Sequence, residues 1–244
     1  MEDLALILLL ALLPLLFLST FRVKAGKSGD LRPLPGVEEL PGLRGRSLES
    51  GQPVHHSLGV AGLGSPATAE TWAGFTVLAR FADEAAASGV PLIVTLSDAT
   101  ALPIAQDMLR RAYVRHGSLD EYEPTQVRLV APDPTAYAAG VMGMLGRHPL
   151  TANVMVGSFG DEYLLMGEVG ARQDYRQTVG AAQPATLPFV LATADDPWLG
   201  EEMFAGGTFL NRLPMQLGSL VAEDWARWLV VAGIVVAVAW QLLI

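Results

Sequence analysis

The two ends of the chain constrain its fold most, because each is a long apolar run without a charged residue. Residues 4–21 (LALILLLALLPLLFLSTF) form an 18-residue run, and residues 228–244 (WLVVAGIVVAVAWQLLI) form a 17-residue run. About 17 to 25 such residues suffice for a helix to cross a bilayer. The two runs therefore predict a transmembrane helix at each end. A cleaved signal peptide is the alternative for the first run, but Glu2 and Asp3 stand where a signal peptide carries basic residues.

The overall composition agrees with this prediction. The 244 residues are 51% hydrophobic and only 17% charged, which is too apolar for an ordinary soluble domain. Trp225, Trp228 and Trp240 stand where aromatic residues mark the two edges of a membrane. Gly233 and Ala237 form a pair of small residues, four apart, that permits close packing of two helices.

The basic residues predict how the chain is oriented. Six of the sixteen lysines and arginines lie in residues 22–46, directly after the first apolar run. Because basic residues favour the cytoplasmic side, we expect two spans in the inner (cytoplasmic) membrane, with the middle of the chain in the cytoplasm. The absence of cysteine fits either compartment.

Net charge limits the possible partners. Residues 1–21 carry a net charge of −2 and residues 22–46 carry a net charge of +3. Because the whole chain carries −9, residues 47–244 carry −10. An acidic body argues against nucleic acid as a partner. The basic segment favours contact with the anionic headgroups of a lipid bilayer, or it serves only as the orientation signal. Residues 22–52, rich in proline and glycine, are interpreted as a linker or as an arm that lies on a neighbour.

Residues 53–224 are predicted to form a cytoplasmic α/β domain. Short apolar runs alternate with helical patterns, which is typical of right-handed βαβ units. We expect a mostly parallel, open, Rossmann-like sheet with helices on both faces, flanked by the two transmembrane helices. Asp133 followed by Pro134 predicts the start of one helix. Residues 163–182 fit a further helix or a hairpin, and we favour a strand pair or a loop. The predicted strands are 53–59, 91–98, 126–133, 151–158 and 187–195, and the predicted helices are 68–88, 100–116, 134–147 and 198–211.

The turn after the first predicted strand has the composition of a phosphate site. It reads GVAGLGSPATAE from Gly59 to Glu70, but it lacks the lysine of a P-loop, and its glycines stand in the wrong order for a dinucleotide turn. A tight strand-to-helix turn explains the same glycines. Ligands of open parallel sheets bind beyond the carboxyl ends of the strands. The candidate ligand-binding residues at those ends are Gly59, Gly62, Gly64, Asp98, Ser158 and Asp161.

No catalytic or metal-binding set is complete in the sequence. The segment GSFGDE does not match the nucleophile elbow of hydrolases because Val156 replaces its first glycine, and no histidine follows His148. His55 and His56 are adjacent on a predicted strand and so face opposite sides. We therefore expect no catalytic residue, no metal ligand and no cofactor.

Several long segments resemble a family of bacterial membrane proteins that is catalogued as a domain of unknown function. The resemblance spans about residues 31–230 and implies a membrane-anchored α/β domain without assigned catalytic residues. The segments that carry it are LRPLPGVEELPG (31–42), TAETWAGF (68–75), PLIVTLSDATALPIAQDMLRRAY (91–113), YEPTQVRLVAPDPTAYAAGVMGML (122–145) and ANVMVGSFGDEYLLMGE (152–168).

Two functional hypotheses follow. The first is a membrane-anchored, non-enzymatic scaffold subunit of a homo- or hetero-oligomeric membrane assembly, which associates with itself or with other membrane subunits. The second is a nucleotide- or small-ligand-binding domain, with enzyme activity as a possibility, that uses the crevice at the carboxyl ends of the strands.

Overall fold

The computed structural model describes residues 2–26, 34, 36, 37, 40–173, 175–211 and 214–243. The chain divides into two compact units, a terminal unit of residues 1–33 and 212–244 and a central unit of residues 34–211. Within the terminal unit, helix α1 (Glu2–Lys24) packs against helix α9 (Pro214–Leu243). The central unit holds the strands and the remaining helices that the structure describes.

The central unit alternates strands and helices along nearly its whole length. Its first helix, α2, lies in the segment for which the sequence predicted a linker, and Leu43 of that helix is buried in the core. The elements are α2 (Leu40–Ser50), β1 (Val54–Gly59), α3 (Thr68–Ser88), β2 (Leu92–Leu96), α4 (Leu102–His116), β3 (Val127–Leu129), α5 (Pro134–Leu145), β4 (Ala152–Ser158), α6 (Tyr163–Ala171), β5 (Arg176–Ala181), α7 (Leu187–Thr193), β6 (Asp196–Leu199) and α8 (Glu201–Asn211).

The six strands form one parallel sheet in the order β3-β2-β1-β4-β5-β6. The expected α/β fold with a Rossmann-like parallel sheet is confirmed. Chain order runs outward from β1 to β3 on one side and from β4 to β6 on the other. The order therefore reverses between β1 and β4, where Val54 pairs with Ala152.

Each face of the sheet carries its own hydrophobic core. Val154 and Val156 of β4 pack in the core beneath α3 and α4, while Met155 packs in the core beneath α5, α6 and α7. Side chains alternate between the faces of a strand, so a central strand buries both its odd and its even positions. All seven residues of β4 are buried accordingly.

Two predicted elements differ from the structure at the end of the central unit. Residues 187–195, predicted as a strand, form helix α7 up to Thr193, and the strand is β6 (Asp196–Leu199). A short apolar run fits a strand and a buried helix equally well, and Pro188 in the first turn favours the helix. Residues 163–182 form helix α6 followed by strand β5, where a strand pair or a loop was favoured.

The predicted transmembrane spans are wrong. Among the described residues, the structure contains no helix with the length and apolar character that a membrane crossing requires. This finding overturns the expectation of flanking transmembrane helices at residues 4–21 and 228–244. The expected two-span location in the inner membrane is overturned with it. Both helices continue beyond the apolar runs into charged residues, which are Arg22 and Lys24 in α1 and Glu223, Asp224 and Arg227 in α9.

A directed chain of hydrogen bonds crosses the interior of the sheet from β2 to β5. His55 donates from Nδ1 to Asn153 Oδ1 (2.6 Å), and Asn153 donates to Gln177 Oε1 (2.8 Å). The Thr95 hydroxyl lies 2.8 Å from His55 Nε2, which accepts because Nδ1 carries the proton. Tyr137 OH lies 3.0 Å from the Thr95 hydroxyl and 2.6 Å from the Ser57 hydroxyl. All of these side chains are buried, and their partners replace the water that they lose.

Burial holds both strand histidines in the neutral form. Desolvation lowers the pKa of His55 from 6.5 to about 4, and desolvation followed by repulsion from His55 lowers the pKa of His56 from 6.5 to about 3. Protonated His55 would carry a proton on Nε2 that competes with the Thr95 hydroxyl proton. Proton donation along the chain toward His55 Nε2, from the Thr95 hydroxyl, therefore belongs to the neutral ring.

We expect the free energy of unfolding to fall as the pH drops from about 6.5 to about 4. In this range the unfolded chain binds protons on both histidines and the folded chain does not, so protonation favours unfolding. For His55 the loss is on the order of 3 kcal/mol. His55→Gln should remove about one proton of pH dependence in urea unfolding curves. His148→Gln, at an exposed position, should keep the wild-type slope, and an unchanged slope in His55→Gln would contradict the assignment.

Candidate functional site

The candidate ligand-binding residues come together at the carboxyl ends of β1, β2 and β4. The order of the sheet reverses between β1 and β4, which is where open α/β sheets bind their ligands. Two connections border this position. The β1–α3 loop is residues 60–67, and the β4–α6 turn is residues 159–162.

Strands β1 and β4 lie so close at this end that neither tolerates a side chain at one position. Gly59 has φ = +80°, and a Cβ there would collide with the carbonyl oxygen of Ser158. A Cβ at Gly157 would collide with the carbonyl oxygen of Leu58 in the same way. The amide of Val60 donates to the Ser158 carbonyl over 2.9 Å. Gly59 is thus required by the contact between the two strands.

Asp98 holds the β1–α3 loop in place. Its Oδ1 accepts from the amide of Thr100 (2.7 Å) and from the Thr100 hydroxyl. The Thr100 oxygen in turn accepts from the amide of Leu63 over 2.9 Å. Gly62 lies against this pair, since a Cβ there would collide with the Asp98 carboxylate. Asp98 therefore acts as a clamp on the loop in this structure.

Several amides of the glycine turn already have partners within the protein. The amide of Gly64, at φ = +85°, donates to the Thr68 hydroxyl (3.0 Å), which donates to the carbonyl of Ser65 (2.6 Å). At the start of α3, the amides of Glu70 and Thr71 donate to the carbonyl of Ala67. The arrangement agrees with a tight strand-to-helix turn, the alternative interpretation of these glycines.

Ser158 and Asp161 differ in accessibility. Ser158 is buried, and its hydroxyl accepts from the side-chain amide of Gln183 over 3.2 Å. Asp161 is exposed in the β4–α6 turn. Its neighbour Glu162 accepts from the amide of Gly160 over 2.7 Å and so fixes the turn. Of the six candidate residues, Asp161 is thus the carboxylate best placed to meet a ligand from solvent.

Sequence reasoning missed the side chains that tie these loops together. Thr100 stands two residues after Asp98, the spacing at which an aspartate accepts hydrogen bonds in a turn, and this signal was available. Thr71 donates to the carbonyl of Ala61 over 3.2 Å, and Gln183 reaches Ser158 from the loop after β5. Neither contact leaves a local pattern in the sequence.

Side chains that could bind a metal ion are scattered. The part of the chain that the structure describes contains no group of three or more histidine, cysteine, aspartate or glutamate side chains able to hold a metal ion. His55 and His56 face opposite sides of β1, as expected, because His55 bonds to Asn153 while His56 Nε2 lies 3.1 Å from the carbonyl oxygen of Gly74 on α3.

Comparison with known proteins places the chain in a family. It belongs to the family described as Domain of unknown function (DUF6754), whose model matches residues 2–244. The match supports the resemblance to a domain of unknown function, and it carries no information on a membrane or bacterial character. Neither the curated proteins nor the solved structures provide a match to this chain.

Gly62→Ala should lower the free energy of unfolding by about 1 to 3 kcal/mol, because the new methyl group must displace Asp98 or Thr100 from the clamp. Gly45→Ala is the matched control. Gly45 lies inside α2, and no atom lies within 4 Å of the position that its Cβ would take, so alanine should stabilise the chain by about 0.5 to 1 kcal/mol. Urea unfolding measures both. Equal stability of the two variants would contradict the tight contact at Gly62.

Proposed function

We propose that this DUF6754 protein is a non-enzymatic structural subunit that associates with further copies of itself, and that helices α1 and α9 join the copies. The observation that carries the proposal is the apolar surface of this helix pair. Among the side chains that the structure describes, fifteen large apolar ones are exposed there, five on α1 and ten on α9. They include Phe17, which is 68% exposed, and Trp228, which is 73% exposed.

The size of this surface favours a protein partner. An aromatic side chain presents roughly 150–250 Å², so fifteen half-exposed large side chains leave on the order of 1,000 Å² of apolar surface in water. A stable interface between two proteins buries about 800 Å² on each partner. The helix pair therefore has enough apolar surface for one complete interface with a second copy.

The two helices already show the close packing that such an interface needs. A Cβ at Gly218 of α9 would lie 2.6 Å from the Thr20 hydroxyl oxygen of α1, so the backbones approach closely there. Gly233, farther along α9, has open space where a Cβ would stand, and Val230 and Ile234 beside it are exposed. Gly233 gives the helix of a second copy a position for equally close approach.

Disulfide trapping tests the proposal, because the chain contains no cysteine and a single introduced cysteine reports only its own neighbours. Ile234→Cys on α9 should give disulfide-linked dimers of the full-length protein under mild oxidation, both in cells and after purification. Val114→Cys is the matched control, since Val114 is an exposed apolar residue on helix α4. Non-reducing gel electrophoresis measures the product.

The contrast between the two variants decides the result. Dimers of Ile234→Cys, together with monomers of Val114→Cys, support self-association through α9. Equal yields from the two variants, or no dimer from cysteines placed in turn at Val231, Ile234 and Val238, would contradict the proposal.

A second candidate function is binding of a nucleotide or another small ligand, and the position of the sheet's order reversal favours it. Gly59, Gly62, Gly64, Asp98 and Ser158 line the connections at this point, with Asp161 exposed beside them. Because the amides of Leu63 and Gly64 are already bonded, a ligand here would depend on side chains such as Asp161 more than on these two amides.

If this second function holds, ATP or NAD with Mg²⁺ should raise the melting temperature of the full-length protein, since ligands that bind only the folded state stabilise it. Asp161→Asn should remove most of the shift, while Asp107→Asn, at a carboxylate on α4 away from this turn that pairs with Arg111, should retain it. The absence of a shift with either nucleotide, or an equal shift in both variants, would reject this candidate.

A further inference from the structure

A polar cleft opens at the amino ends of β5 and β6, which is the opposite end of the strands from the glycine turn. We define it as the α6–α7 cleft, with a volume of about 730 Å³. This volume lies within the range of roughly 300 to 1,000 Å³ that is typical of small-molecule sites. The cleft lies between the C-terminal ends of helices α6 and α7. Its lining includes Gly170, Ala171, Tyr175, Arg176, Thr193 and Asp195.

The polar wall of the cleft is held by a buried side chain. Gln177 is fully buried, and its backbone amide donates to Asp195 Oδ2 over 2.8 Å while its carbonyl accepts from the amide of Asp195 over 2.9 Å. The side-chain amide of Gln177 also donates to the carbonyl of Thr193 over 2.9 Å. Gln177 is the last side chain of the hydrogen-bond chain that starts at Ser57, so the positions of Thr193 and Asp195 are fixed from inside the sheet.

The electrostatic character of the cleft is negative. Helices α6 and α7 both end at it, and the C-terminal end of a helix carries a partial negative charge. The carboxylate of Asp195 is exposed in the cleft and adds a full charge. The one cation among the described lining residues, Arg176, has its charge balanced by the buried Asp196, with Nη2 donating to Oδ1 over 2.6 Å.

We infer that the α6–α7 cleft binds a small organic cation, an amine or guanidino compound whose N–H groups meet the exposed Asp195 carboxylate near the negative ends of α6 and α7. The N–H donors of such a cation form charge-assisted hydrogen bonds with a carboxylate. The inference is independent of self-association, because all of the residues that carry it lie within the central unit, whereas α1 and α9 belong to the terminal unit.

Isothermal titration of the full-length protein with agmatine tests this site, because agmatine carries one ammonium and one guanidinium group. We expect binding with a Kd on the order of 1 mM, which weakens with added salt. Glutarate, an anion of similar length, should give no binding heat. Asp195→Asn keeps an oxygen that accepts from Gln177 and removes the charge, so it should weaken agmatine binding about fivefold.

Two further variants separate the site from a general effect of charge. Asp120→Asn removes an exposed carboxylate outside the cleft and should bind agmatine as the wild type does. Ala192→Trp, at an exposed cleft position on α7, should fill the cleft and abolish binding without loss of the folded circular dichroism spectrum. The inference is overturned if agmatine and glutarate behave alike, or if Asp195→Asn and Ala192→Trp bind agmatine like the wild type.

Discussion

The buried hydrogen-bond chain across the sheet is the interaction on which the rest of the central unit depends. It begins at Ser57, whose oxygen accepts from the amide of Gly59 over 3.2 Å, and it continues through the neutral His55 to Gln177. Every member finds its partner in the interior, where a missing partner costs about 1 to 3 kcal/mol. This hydrogen-bond chain links the two ends of the strands, because its first member lies beside the glycine turn and its last member supports the α6–α7 cleft. It therefore fixes the relative position of β2, β1, β4 and β5.

The carboxyl ends and the amino ends of the strands are built differently, and this difference bears on function. At the carboxyl ends of the strands, Asp98, Thr100 and Thr68 bond to the glycine turn and close it. At the amino ends, the carboxylate of Asp195 is exposed in the α6–α7 cleft. The largest exposed apolar surface that the structure describes belongs to neither edge, because it lies on α1 and α9. Burial of that surface against a second copy would supply the driving force for the self-association proposed above.

Sequence patterns predicted the elements whose signals are local. The α/β class follows from alternating apolar runs and helical periods, and the Asp133–Pro134 pair marks the start of α5, where Asp133 accepts from the amide of Ala136 over 2.8 Å. Residues 187–199 were misassigned because a short apolar run does not distinguish a buried strand from a helix. The contacts that fix the candidate site join residues distant in the chain, such as Ser158 and Gln183, and leave no local pattern. The apolar termini were misinterpreted as membrane spans because an apolar sequence indicates that a helix avoids water. It does not indicate whether lipid or protein surrounds the helix.

Sedimentation equilibrium of the full-length protein over a wide range of concentration tests the central claim most directly, because it reports mass without a probe at the interface. Self-association through α1 and α9 predicts a mass that rises with concentration to a multiple of 25.9 kDa, and a return to 25.9 kDa when Phe17→Glu and Ile234→Glu place charges on α1 and α9. A mass of 25.9 kDa at every concentration of the wild-type chain would contradict it.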